Sequence, residues 1–248
     1  MKYSTDEIEK MAKGGRILAD VKTTLAGMVK AGVSAWELEA KAVEMIRVVG
    51  AEPSFMKVPN YHWVTCINVN AGIVHGIPTK ELIFADGDLV SIDLGVYYQG
   101  FHTDSSISVA INPTPETAKF LETGQIALKN ALSQAIVGNR IWDISQAIGE
   151  TVMAAGYNPV KALVGHGVGR ALHEEPMIPC LALGDREKSP LLEKGMSLAI
   201  EVMYTAGKPD LVEANDGWTI TTADGKISGL FEETVVVRGG KPRVLTAI

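Results

Sequence analysis

The chain has 248 residues, 46% hydrophobic and 21% charged, a balance that suits one large soluble domain or two small ones with a sizeable core. Its 23 Lys and Arg stand against 29 Asp and Glu, a net charge of -6, so the phosphate backbone of a nucleic acid would repel it and no direct nucleic-acid site is evident. The opening MKYSTDEIEK lacks the apolar core of a signal peptide, and no window approaches the roughly 18 apolar residues of a membrane span, which predicts a cytoplasmic protein. Cys66 and Cys180 are too few for a disulfide scaffold and form no CxxC pair.

Ser4 and Glu7 have capping-box spacing, and Ile8, Met11, Ile17, Leu18, Val21, Leu25 and Met28 follow, so a first helix is predicted from Ser4. Gly14 and Gly15 weaken it and Gly32 ends it. Ser34 and Glu37 repeat the box ahead of a second helix through Leu38, Met45, Ile46 and Val49 to Gly50. Loop and strand material follows from Pro53 to Ile83.

The stretch from Leu89 to Val109 reads as two facing strands. Val90, Ile92, Leu94 and Val96 alternate with Ser91, Asp93 and Gly95, and the pattern resumes after Tyr98-Gln99-Gly100 with His102, Asp104, Ser106 and Ser108 on one face. A turn centred between Tyr98 and Gln99 puts Asp93 across from Asp104, with Cβ atoms roughly 4.5–5.5 Å apart. Two carboxylates that close need a shared proton or a cation, unless they are turn residues on a solvated face.

Asn112-Pro113-Thr114-Pro115 breaks the chain. Thr114 is placed to cap, and Pro115 to begin, a helix to about Val137. Another runs from about Ile141 to Ala155. Strands dominate from Ser197 onward, with a hairpin around Ala223-Asp224-Gly225.

Gly32, Trp36, Leu38, Glu44, Gly50 and Pro53 recur 106 residues later, without a gap, as Gly138, Trp142, Ile144, Glu150, Gly156 and Pro159. Two of only four tryptophans in register favour an internal duplication. The reading is a single α+β domain, residues 1–248, of two pseudo-equivalent halves (about 1–112 and 113–248) with a cleft between them.

The second half supplies GHGVGRALHEEP with His166 and His173, SLAIEVMY with Glu201, and SGLFEETVVVR with Glu232, each in or beside an apolar strand pattern. A strand Glu in such a context is costly to bury unless it is paired or metal-bound. Asp93, Asp104, His166, Glu201 and Glu232 together carry four carboxylates and one imidazole. Their formal charge matches two divalent cations, the arrangement that polarises a carbonyl and clamps a developing oxyanion.

His75-Gly76-Ile77-Pro78, Ile92-Asp93-Leu94-Gly95 with Asp104, Gly165-His166-Gly167-Val168-Gly169, His173-Glu174-Glu175-Pro176, Ile200-Glu201 and Phe231-Glu232 stand in the order of the type I methionine aminopeptidases, and the chain resembles that family from end to end. There is little room for the extra domain or insertion of the type II enzymes, the Xaa-Pro peptidases or the creatinases, which share the fold. The resemblance implies the pita-bread fold, a pseudo-two-fold α+β duplication with a curved antiparallel sheet. It implies that Asp93, Asp104, His166, Glu201 and Glu232 bind the two metals, with Asp104 and Glu232 bridging. His75 and His173 would position the scissile amide and stabilise the tetrahedral intermediate, and Glu201 would be the general base. Tyr61, Cys66, Leu172 and Trp218 fall where the family lines its methionine pocket, or else are ordinary core residues. The implied substrates are peptides and nascent chains with N-terminal methionine and a small second residue, which raises a ribosome contact; nothing suggests more than a monomer.

Three positions depart from the family pattern: Glu233 where many type I enzymes have His, VPNYHW from Val58 to Trp63 in place of a Gly- and Pro-bearing loop, and Val202 where Pro is usual. Glu233 could face away from the metals or shift their charge balance. His62 is a surface residue or part of an altered substrate rim. The donor set suits Mn, Fe, Co or Zn. Two other readings remain: an Xaa-Pro aminopeptidase, which would carry Arg where this chain has Gly229-Leu230-Phe231, and a non-catalytic protein that keeps the fold.

Overall fold

Both N-terminal helices open on the capping boxes that their spacing predicts. The computed structural model describes residues 1–247. In it the Ser4 and Ser34 side chains accept from the Glu7 and Glu37 backbone N–H, and each Glu carboxylate reaches back to its cap residue. Helix α1 spans Thr5–Met28 and α2 Ala35–Val48. Gly14 and Gly15 do not interrupt α1; they lie where it crosses the sheet and the C-terminal segment. A Cβ on Gly15 would collide with the Leu245 carbonyl, and one on Gly14 would sit 3.2 Å from Tyr98 Cβ. The close approach offsets the propensity cost of the two glycines. The helix ends at Met28, four residues before Gly32.

There follow β1 (Glu52–Pro53), β2 (Thr65–Val69), β3 (Gly72–Val74), β4 (Leu89–Tyr98) and β5 (Phe101–Ala110). Helix α3, Pro115–Ser133, has the predicted Thr114 cap and Pro at its start but stops four residues short of Val137. There the Val137 N–H turns away to donate to the Arg238 carbonyl. Next come α4 (Ile141–Ala154), β6 (Asn158–Pro159), β7 (Val164–Gly167), β8 (Glu174–Pro179), β9 (Ser197–Thr205), β10 (Leu211–Glu213), β11 (Ile220–Thr222), β12 (Ser228–Val236) and β13 (Arg243–Val244).

Ten strands form one antiparallel sheet in the order β1-β4-β5-β12-β9-β7-β8, with β2 also on β4, β6 on β9 and β13 on β12; β10-β11-β3 form a second sheet. The last central strand of the sequence, β12, thus lies between β5 and β9. Ile92, Leu94 and Val96 of β4 face a core shared with α1 and α2, and Leu198, Ile200 and Val202 of β9 face one shared with α3 and α4. Helices cover one side of the sheet, and Asp93, Asp104, His166, Glu201 and Glu232 line a cavity on the other.

Two expectations need correction. The β4–β5 turn is Gln99-Gly100, both at positive φ (49° and 92°), so Asp93 pairs with Ser106, and Asp104 with Gly95. A two-residue turn of this hand takes its glycine at the second central position, which moves the register by two and leaves the faces unchanged. The turn at Ala223–Gly225 joins strands of different sheets: β11 pairs with β10 and β3, whereas β12 pairs with β5 and β9.

The 106-residue repeat has structural counterparts. Helices α2 and α4 both have 14 residues and begin and end at equivalent positions, as do β1 and β6. Gly32, Gly50, Gly138 and Gly156 all adopt positive φ.

Candidate metal centre

One row of four residues crosses the middle of the sheet. Asp93 of β4 pairs with Ser106 of β5, Ser106 with Glu232 of β12, and Glu232 with Glu201 of β9. Asp104 lies two residues along β5 on the same face, so it is diagonal to Asp93. His166 enters from β7, where it pairs with Ala199, two residues from Glu201. Five residues from five different strands are gathered in this way by strand pleat and register.

The site is buried and short of hydrogen-bond donors. Asp104, His166 and Glu232 are buried, at 4%, 4% and 2% exposure, and ligand atoms from these three all lie within 4.8 Å of one another. His166 Nδ1 lies 2.9 Å from the Gly167 carbonyl, which can only accept, so this nitrogen carries the proton. The Nε2 lone pair then faces Glu201 Oε1 at 3.4 Å and Asp104 Oδ2 at 3.9 Å. Acceptor meets acceptor there, an arrangement that a cation between them resolves. Asp93 Oδ1, Ser106 Oγ and Glu232 Oε1 are buried with no hydrogen-bond partner. Orphaned carboxylate oxygens beside a bare imidazole nitrogen fit divalent-metal ligation.

Desolvation, followed by mutual repulsion, raises the Asp104, Glu201 and Glu232 carboxyls well above their ordinary range, and desolvation lifts Asp93 to about 7. Burial pushes His166 down to about 4, keeping it in the neutral form that ligates metals.

All eleven residues singled out in the sequence line one cavity of about 180 Å³. His75, held at φ 60°, and His173 are both exposed at its mouth. The His173 ring lies edge-on to His166 at 4.5 Å, and His75 is edge-on to Trp218 at 6.5 Å. The apolar end holds Tyr61, Cys66, Leu172 and Trp218, with Phe55 and Val58 from the segment between β1 and β2 and Val74 from β3. Nothing in the sequence reading singled out Phe55 or Val74 for the cavity; Val58 begins the departing stretch Val58–Trp63, which was its only signal. The Tyr61 hydroxyl donates to the Thr65 carbonyl at 2.8 Å and sits 3.1 Å from Cys66 Sγ, while Trp218 and Trp63 meet its ring edge-on at 5.0 and 5.3 Å.

The departures from the family pattern have local explanations. Glu233 faces away from the cavity, toward α1, where Lys22 Nζ lies 2.7 Å from its carboxylate; Ser105 and Thr246 also donate to it. His62 is exposed. Val202 is fully buried on the helix-covered side.

Residues 9–239 match the model of metallopeptidase family M24. The chain is 41% identical to the methionine aminopeptidase of Aquifex aeolicus, over 99% of this chain and 98% of that protein. Among solved structures, methionine aminopeptidase from Thermotoga maritima superposes with a TM-score of 0.97 at 34% identity, covering 100% and 99% of the two chains. A prolidase from Pyrococcus horikoshii superposes with a TM-score of 0.79 at 22% identity, over 63% of its length, which extends the likeness of fold alone. The fold is the pita bread expected from the sequence, and the chain belongs to metallopeptidase family M24.

Proposed function

We propose that this protein is a metal-dependent aminopeptidase that releases methionine from the N-terminus of peptides and nascent chains whose second residue is small. The observation that carries the reading is the unprotonated His166 Nε2 facing two carboxylates, beside the orphaned oxygens of Asp93 and Glu232. Asp93, Asp104, His166, Glu201 and Glu232 would hold two divalent cations, Mn, Fe, Co or Zn. When bound, the metals supply Lewis acidity toward the scissile carbonyl.

The protein's own groups do the rest. Glu201, two ladder positions from His166, takes the proton of the attacking water. His75 and His173 at the cavity mouth hydrogen-bond the scissile amide and the oxyanion that replaces its carbonyl. Tyr61, Cys66, Leu172 and Trp218 enclose an unbranched thioether, for which an apolar pocket with aromatic edges is suited. The reading is of a single domain whose halves meet at β5 and β12, a cytoplasmic monomer that engages chains as they leave the ribosome. Among the described residues no helix is long and apolar enough to cross a membrane.

The test is release of the N-terminal residue from Met-Ala-Ser and from an Xaa-Pro tripeptide. Metal-stripped protein would be reconstituted with Mn, Fe, Co or Zn, beside a Glu201→Gln control. Metal-dependent release from Met-Ala-Ser, lost in the control, is the expected result. Preference for the Xaa-Pro peptide would transfer the chain to that specificity, and silence with every metal would favour a non-catalytic protein.

A further inference from the structure

We infer that Tyr3, in the segment preceding α1, is a positioning residue for the Gly169–Glu174 loop and, through it, for His173 and Leu172. The inference rests in part on the roles proposed above for these two residues. The loop leaves β7 and returns as β8, and it puts Leu172 into the apolar end of the cavity and His173 at its mouth. Its own internal ties are few: the Gly169 N–H donates to the Ala171 carbonyl, and the Ala171 N–H to Glu174 Oε1 at 2.9 Å.

Tyr3 closes this loop from outside. Its hydroxyl lies 2.8 and 2.7 Å from the two Glu174 carboxylate oxygens and accepts from the Arg170 N–H at 3.1 Å, so one oxygen joins both ends. Gly169 leaves space for that contact, since a Cβ there would collide with the Tyr3 hydroxyl. The Arg170 guanidinium lies over the Tyr3 ring at 5.0 Å and also pairs with Glu7 of α1, while Phe101 meets the ring edge-on at 5.9 Å. Tyr3 is itself anchored: it is 5% exposed, its N–H donates to the Gly195 carbonyl at 2.9 Å, and Ser4 beside it caps α1. On the other side the His102 N–H donates to the Gly169 carbonyl at 2.6 Å. The loop is therefore referenced to α1 and β5 through a phenol more than 160 residues away in sequence.

Tyr3→Phe keeps the ring and its packing and removes only the hydroxyl. In the metal-loaded protein, Tyr3→Phe and Glu174→Gln are each expected to lower kcat/KM for Met-Ala-Ser about tenfold, the scale of one charge-assisted hydrogen bond. KM should rise through Leu172 and kcat fall through His173, and the double variant should be no worse than the poorer single one. Metal content should be unchanged, and amide exchange should accelerate in residues 170–174 but not in β9 or β12. Wild-type kcat/KM in Tyr3→Phe would overturn the inference, as would multiplicative losses in the double variant or a loss explained by lower metal content. If the wild-type protein released no residue from any peptide, the proposed activity would fail by itself. Exchange would then decide, and unaccelerated amides in Tyr3→Phe would overturn the inference.

Discussion

Glu232 and Glu233 are consecutive residues of one strand, and the sheet treats them oppositely. Glu232 points into the cavity, where its neighbours are other carboxylates and one of its oxygens has no partner. Glu233 points to the helices, where Lys22, Ser105 and Thr246 all donate to it. On the helix side the chain neutralises its own charge; on the cavity side it leaves the charge for a bound cation. Stability is invested on one face and binding capacity on the other.

The sharpest test of that contrast removes one carboxylate from each face. Glu232→Gln is expected to lower kcat/KM on the order of a thousandfold and to weaken metal binding measured by calorimetry, without lowering the unfolding midpoint of the metal-free protein. Equal destabilisation by Glu232→Gln and Glu233→Gln would break the comparison. On the helix side, Lys22→Met should cost about 2–3 kcal/mol in denaturant unfolding because the half-buried Glu233 carboxylate loses its cation and keeps only the Ser105 and Thr246 donors, whereas Lys22→Met with Glu233→Met should return close to wild type.

Proton linkage gives a third test. The four cavity carboxyls are raised above their unfolded values, Asp93 to about 7. A raised carboxyl contributes stability that is complete below its unfolded pKa and is lost as pH rises through the folded one. The chelated protein should therefore melt at a higher temperature near pH 5 than near pH 8 by scanning calorimetry, and Glu232→Gln should flatten the difference. Added divalent metal should restore the midpoint at the higher pH and release protons as it binds. The smallest effect expected is that of Thr246→Val, which deprives Glu233 of one donor and the Thr234 N–H of its acceptor. It should cost about 1–3 kcal/mol in unfolding and leave kcat/KM unchanged.

The faces of the strands were legible in the sequence because alternation is a local property: Ile92, Leu94, Ile200 and Val202 announce a buried side, and Asp93 and Glu201 the opposite one. The ladder was less legible. Whether Asp93 meets Asp104 or Ser106 depends on which two residues take positive φ at the turn, and Gly100 decides it. Insertion of β12 between β5 and β9 leaves no local trace, so the row through Ser106 could not be foreseen. Ile136 and Val137 extend an apolar pattern past the end of α3, but their backbone leaves the helix to bridge Arg238 in the C-terminal segment, a long-range pairing that local periodicity does not carry. Glu233 was identified as a departure with two possible meanings, and its partner Lys22, 211 residues away, decides between them.

The position of β12 in the sheet has a consequence for the order of events at birth. During synthesis the strand with Asp93 and the strand with Asp104 emerge early, and the strand with Glu201 follows more than ninety residues later. The gap between β5 and β9 can close only when residues 228–236 have left the exit tunnel. Glu232 therefore enters last, and the donor set is incomplete on every shorter nascent chain. A peptidase assembled in this order has no working centre until residues 228–236 have been made and have taken their place between β5 and β9.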